Sequence, residues 1–226
     1  MSSSHNLSSV ETLLIANRER GRRTTRAISE RIKVLKRIKF YIDTLDAGGI
    51  LRRYFVMNGF DGALAVMGII VGSYMTRALN PRFIVGASIG ASIAMAVSGF
   101  VGAFITERAE RLREIKELER SLFTSLDKSV LKQAVNMITL LAAVIDAIAP
   151  LLFALISITP FVLSMWSLLP VEIAFYSSLT IICLLLFSLG ALLARISDEN
   201  LLKYGLYMLT SGLAVSILGL LLGGVL

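Results

Sequence analysis

Asp61 is the only acidic or basic residue in an apolar stretch, Tyr54 to Thr76, that is long enough to cross a bilayer. A charged side chain in mid-span costs about 2.5–3.5 kcal/mol on insertion scales, so such residues face a bundle interior, a partner or an ion path. Asn58, Asp61, Ala65, Gly68 and Gly72 follow one another by three or four residues and so share one face of a helix. An amide, a carboxylate and small side chains on one stripe can line a path or receive another helix closely. Met57 lies one turn from Asp61, and its thioether is a soft donor that can share a metal ion with a carboxylate.

Three further groups carry candidate chemistry. In Phe83 to Thr106, small residues recur at every fourth position, Gly86, Gly90, Ala94, Ser98 and Gly102, the pattern of close helix approach in membranes. The neighbouring row, Ala87, Ala91, Met95, Gly99 and Ala103, has Met95 as its one bulky member, a thioether standing out from a smooth wall. Glu107, Glu110, Glu114 and Glu117 then step by three, four and three, which puts four hard oxygen donors on one helix face. The same spacing also makes ordinary surface pairs with Arg111, Arg113 and Arg120. Asp146 is a second carboxylate deep in an apolar stretch, and Pro150 one turn later leaves its carbonyl without the usual donor. It is a candidate for proton or ion coupling.

These groups must be positioned by membrane helices. The chain is 55% hydrophobic and 17% charged, with a mean hydropathy of +0.75, outside the usual balance of a soluble domain. A span needs about 20 apolar residues. Five stretches qualify: Tyr54 to Thr76, Phe83 to Thr106, Val135 to Ser157, Val171 to Ala194, and Tyr204 to Leu226. The expected architecture is all-α, a polytopic membrane protein of five transmembrane helices with added cytosolic helices. Residues 1–53 form a basic amphipathic arm and residues 54–226 the membrane domain, with a Glu-rich helix at 107–132 between spans two and three.

Charge sets the expected orientation. All but two of the 23 Lys and Arg residues, Arg77 and Arg82, fall on one side of such a bundle. The positive-inside rule then places the N-terminus and the Glu-rich segment in the cytosol and the C-terminus outside. The net charge of +7 is juxtamembrane charge that favours anionic lipid over nucleic acid. In the arm, Val10 to Phe40 mixes aliphatic with basic residues, as a helix lying on a membrane does, and Gly48-Gly49 is expected to break the chain before the first span. No apolar run precedes that span, so it is expected to serve for insertion.

One cysteine, Cys183, and one histidine, His5, leave neither a disulfide framework nor a Cys/His zinc site within one chain. No nucleophile and base pair and no phosphate-cradling loop is visible, so an enzyme is not expected, nor a prosthetic group.

Phe60-Asp61-Gly62, the small-residue second span with Met95 near its centre, the Glu-rich helix continuing from it and three further spans together resemble the vacuolar iron transporter family. The resemblance covers roughly Arg52 to the C-terminus. It implies a five-span homodimer that moves ferrous iron, and often manganese, out of the cytosol through a path between the two first spans. It further implies that Asp61 and Met95 are transport ligands; Asn58, on the same face of the first span as Asp61, is a candidate beside them. Glu107, Glu110, Glu114 and Glu117 then stand where the family's cytosolic metal-binding helices begin. The chain departs from the pattern where Phe60 replaces a common Asn and Gly99 a frequent Glu, and in a cytosolic segment of only about 25 residues. The implied setting is a prokaryotic cell membrane or a vacuolar membrane, and the implied partners are divalent metal ions, lipids and a second copy. The competing reading is a membrane scaffold or regulator whose basic arm and charged helix bind lipids or a protein partner.

Overall fold

Five long helices carry the whole architecture in the computed structural model, which describes residues 47–122 and 130–223. They are α1 (Ala47–Met75), α2 (Pro81–Leu122), α3 (Val130–Met165), α4 (Val171–Ile196) and α5 (Leu201–Gly223). Each contains a segment long and apolar enough to cross a membrane, and no strand occurs among the described residues. Helices are the natural outcome for such segments, because every backbone polar group away from water must be satisfied within its own element. Side chains follow the same rule. Ser157 donates to the Phe153 carbonyl at 2.7 Å, Thr180 to Tyr176 at 2.9 Å and Ser216 to Gly212 at 3.0 Å, each one turn back on its own helix.

The ends of the helices are written locally. Asn80 caps α2 by accepting from the Arg82 amide at 3.0 Å, and Pro81 occupies the first turn, where its missing N–H has no consequence. Asn200 caps α5 in the same way, accepting from the Leu202 amide at 2.9 Å. Arg77, Ser167 and Asp198 take positive φ just past the ends of α1, α3 and α4, a conformation that closes helices and more often recruits glycine.

One expectation needs adjustment, and one holds. Gly48 and Gly49 do not interrupt the chain ahead of the first span but lie in the first turn of α1, which begins at Ala47. Helix α2 continues without a break into the Glu-rich segment and is 42 residues long, about 60 Å at the standard rise, twice a hydrocarbon core of about 30 Å. The strong helix formers after Thr106 explain that continuity. The basic segment Val10 to Phe40 and residues 123–129 lie outside the described residues.

Residues Gly48 to Leu226 form one compact unit. Helices α2 and α3 share an extensive interface, and α4 packs on both α3 and α5. Helix α1 touches all four others. Phe55 meets Phe153 of α3 edge to face at 5.6 Å, Tyr74 stacks on Phe175 of α4 at 4.7 Å, and Tyr54 donates to Glu107 of α2 at 3.1 Å. The sulfur of Met67 lies 3.3 Å from where a Cβ on Gly212 of α5 would sit. Lipid tails are as apolar as leucine, so what holds such helices together is close van der Waals packing and a few interhelical hydrogen bonds. Two glycines of α1 permit a close approach to α3. A Cβ on Gly62 would sit 2.7 Å from the Cα and carbonyl oxygen of Pro150, and one on Gly59 2.7 Å from the ring of Phe153.

Candidate functional site

That glycine seam fixes Asp61. Gly59 and Gly62 share one side of α1 and are pressed against α3; Asp61 lies between them in sequence but about 100° or more round the helix from either, so it turns away from the seam and is exposed. It has neither a hydrogen bond nor an ion pair among the described residues. Met57, 58% exposed, and Arg53 continue the same open stripe toward the N-terminal end of α1.

Asp61 is common to two openings. One is a shallow cavity of about 430 Å³ lined by Asn58 and Asp61 of α1 and by Ala94, Met95, Ser98 and Gly99 of α2. The structure therefore brings together Asp61, Met95 and Asn58, which the sequence presents on two separate helices. The other is an apolar groove of about 540 Å³ in which Asp61, Met57 and Phe60 lie with Arg52 and Arg53 at one end and Leu193, Ile196 and Met208 opposite. Met57 thus lies in the groove and Met95 in the cavity, on two sides of one carboxylate.

The small-residue face of α2 is open as well. Gly86, Gly90, Ala94, Ser98 and Gly102 are all exposed, and a Cβ on Gly86, Gly90 or Gly102 would meet nothing within 4 Å. A smooth stripe with no neighbour among the described residues, beside a carboxylate unpaired among them, is a surface shaped to receive another helix.

Asp146 is treated in the opposite way. Only 4% exposed, it sits where α1, α2 and α3 meet. The side-chain amide of Asn58 donates to its Oδ1, and its Oδ2 occupies the space that a Cβ on Gly99 would need, 2.5 Å away. Gly99 is therefore the notch in α2 that admits this carboxylate.

The Glu row divides. Glu107 is 2% exposed and turned toward α1, where it accepts from the Tyr54 hydroxyl. Arg111 lies 3.7 Å from Glu107 and 2.9 Å from Glu114, and Arg113 pairs with Glu117 at 3.0 Å. Glu110 is exposed. Among the described residues, no group of three or more His, Cys, Asp or Glu side chains comes close enough to hold a metal ion. Within one chain the row thus forms ladder pairs along α2, with Glu107 as its one inward member.

Tyr54, Gly99 and Arg111 are the residues that sequence reasoning did not single out as parts of a site. Tyr54 and Glu107 are 53 positions apart, and no local pattern joins them. Gly99 carried a signal, since it follows Met95 by one turn in the small-residue row, but only the position of Asp146 gives that gap a purpose.

Fold and site together define an all-helical protein with five helices suited to a membrane and a polar patch between the first two. No family model matches the chain. Over 190 residues, 83% of this chain and 95% of the relative, it is 29% identical to the uncharacterized protein MJ0645 of Methanocaldococcus jannaschii.

Proposed function

We propose that this protein is a divalent metal transporter that carries ferrous iron or manganese out of the cytosol as a homodimer, in exchange for protons or another cation. The observation that carries the reading is the unpaired Asp61 carboxylate, which shares one cavity with Met95 and Asn58 at the edge of an open small-residue face. Carboxylate, amide oxygen and thioether form a mixed donor set that suits a borderline divalent ion. One such carboxylate neutralises half the charge of the ion. Two copies related by a twofold axis beside Asp61 would bring a second carboxylate and second thioether, cover the open stripe of α2 and complete the site. The resemblance to vacuolar iron transporters leads to the same reading, and the skewed distribution of Lys and Arg favours a cytosolic N-terminal arm.

Flux in reconstituted liposomes tests it. Wild type loaded by a pH gradient should accumulate manganese or ferrous ion, and Asp61→Ala should abolish uptake while Met95→Leu reduces it. Equal flux in wild type and Asp61→Ala would remove the proposal. In a Cys183→Ser background, Ala94→Cys should cross-link to itself in membranes, whereas an exclusively monomeric product would sink the dimer.

A further inference from the structure

The hydrogen bonds of Asn58 determine which end of its amide is free. A primary amide has two hydrogens on nitrogen and one acceptor oxygen. Asn58 Nδ2 donates to the Tyr54 backbone carbonyl at 3.3 Å and to Asp146 Oδ1. A backbone carbonyl cannot donate, so turning the amide over would set oxygen against oxygen at Tyr54, and at Asp146 as well whenever that carboxylate is ionised. The carbonyl oxygen of Asn58 is left over, and no donor among the described residues reaches it. Asn58 also lines the cavity that holds Asp61 and Met95.

Asp146 is built to hold that orientation. Its carboxylate is almost wholly buried, its Oδ2 fills the notch at Gly99, and its helix is locked to α1 by the contact of Pro150 with Gly62. A buried carboxylate whose one side-chain partner is a polar residue of the cavity resembles the outer partners that orient ligands in metal sites.

We propose that Asp146 is a positioning residue and that, by taking one amide hydrogen of Asn58, it presents the Asn58 carbonyl oxygen to the transported ion as a hard, neutral ligand. The inference rests on the transport reading above and deepens it to selectivity. Oxygen donors favour manganese, whereas the Met95 thioether favours softer ions such as zinc. A fixed amide oxygen beside Asp61 therefore weights the site toward the harder ion. A turned amide would point N–H groups at a cation and repel it.

Calorimetric titration of the full-length protein with manganese and with zinc, alongside thermal melting, separates the possibilities. Wild type should bind manganese; if it does not, the transport reading itself fails. Given that binding, Asp146→Asn keeps size and hydrogen bonding but supplies a group that can donate, which frees Asn58 to turn. Manganese affinity should fall about tenfold or more, as for other outer-partner substitutions, with zinc affinity changed much less and the melting temperature held. Asn58→Ala, which needs no hydrogen-bond partner, should reproduce the loss. Unchanged manganese affinity in Asp146→Asn or in Asn58→Ala overturns the proposal, and so does an equal loss of both metals in step with a fall in melting temperature.

Discussion

Asp61 and Asp146 are both carboxylates in helices apolar enough to span a membrane, and the protein handles them in opposite ways. Asp146 is surrounded by its own chain, with Asn58 on one oxygen and the Gly99 notch around the other. Asp61 is exposed and without a partner among the described residues, although a single turn of α1 separates it from Asn58. A carboxylate with a fixed amide donor has part of its desolvation cost offset inside the fold. A carboxylate left open keeps that cost for something outside the protomer to offset. The first arrangement holds a structure in one state, and the second is the one that the proposed partner or ion would complete.

The seam between α1 and α3 keeps the two carboxylates on their separate sides, and its glycines give the largest expected effects. In Gly62→Ala the new methyl meets backbone atoms of Pro150 at 2.7 Å, which cannot swing aside. Overpacking of that kind costs about 1–3 kcal/mol, and here the two helices must part to relieve it. Gly59→Ala meets the ring of Phe153, a side chain that can turn, and should cost less. Gly90→Ala meets nothing and should leave the melting temperature of the monomer unchanged. Thermal melts of the three variants in one detergent should follow that order. A Gly62→Ala protein as stable as wild type would mean that the seam does not set the position of Asp61.

The next effect separates the two carboxylates directly. Asp146→Ala leaves one amide hydrogen of half-buried Asn58 without its acceptor, a loss of about 0.5–1.5 kcal/mol. Removing Asn58 as well should restore part of the loss, so a double-mutant cycle between the two should give a coupling of about 0.5–3 kcal/mol. The same cycle between Asn58 and Asp61, which share a cavity and no hydrogen bond, should give a coupling near zero. Reversal of those two results would exchange the roles assigned here.

Much of this was legible in residue order, and the part that was not has a physical reason. Length and hydropathy gave the five helices, because a bilayer-length apolar run has few alternatives to a helix. The uninterrupted run of helix formers after Thr106 announced the extension of α2. Asp61 stood out because its cost can be read from one helix alone. The role of Gly99 could not be read that way. Alone it is another small residue in a row of small residues, and it becomes a notch only when α3 brings Asp146 against it. Likewise the spacing of Glu107 to Glu117 defines one face, but which member of that face turns inward depends on where α1 crosses, at Tyr54. Spacing within a helix is local information, whereas a junction of three helices is set by packing.

The smallest expected effect is on the stability of the protomer when Asp61 is removed, and a small effect there is the sharpest result. Asp61→Ala breaks no hydrogen bond or ion pair among the described residues and opens no internal void, since the side chain is already exposed. In detergent micelles its melting temperature should therefore match wild type, with a change within about 0.5 kcal/mol. In a bilayer the same substitution removes a charge that costs about 2.5–3.5 kcal/mol in mid-helix, so the isolated protomer should become easier to insert. Flux should nonetheless vanish. A residue that costs insertion energy, contributes nothing to the fold of one protomer and cannot be removed without loss of activity has its role in what joins the protomer afterwards. If Asp61→Ala instead lowers the melting temperature as far as Asp146→Ala does, Asp61 is a structural residue, and the contrast between the two carboxylates disappears.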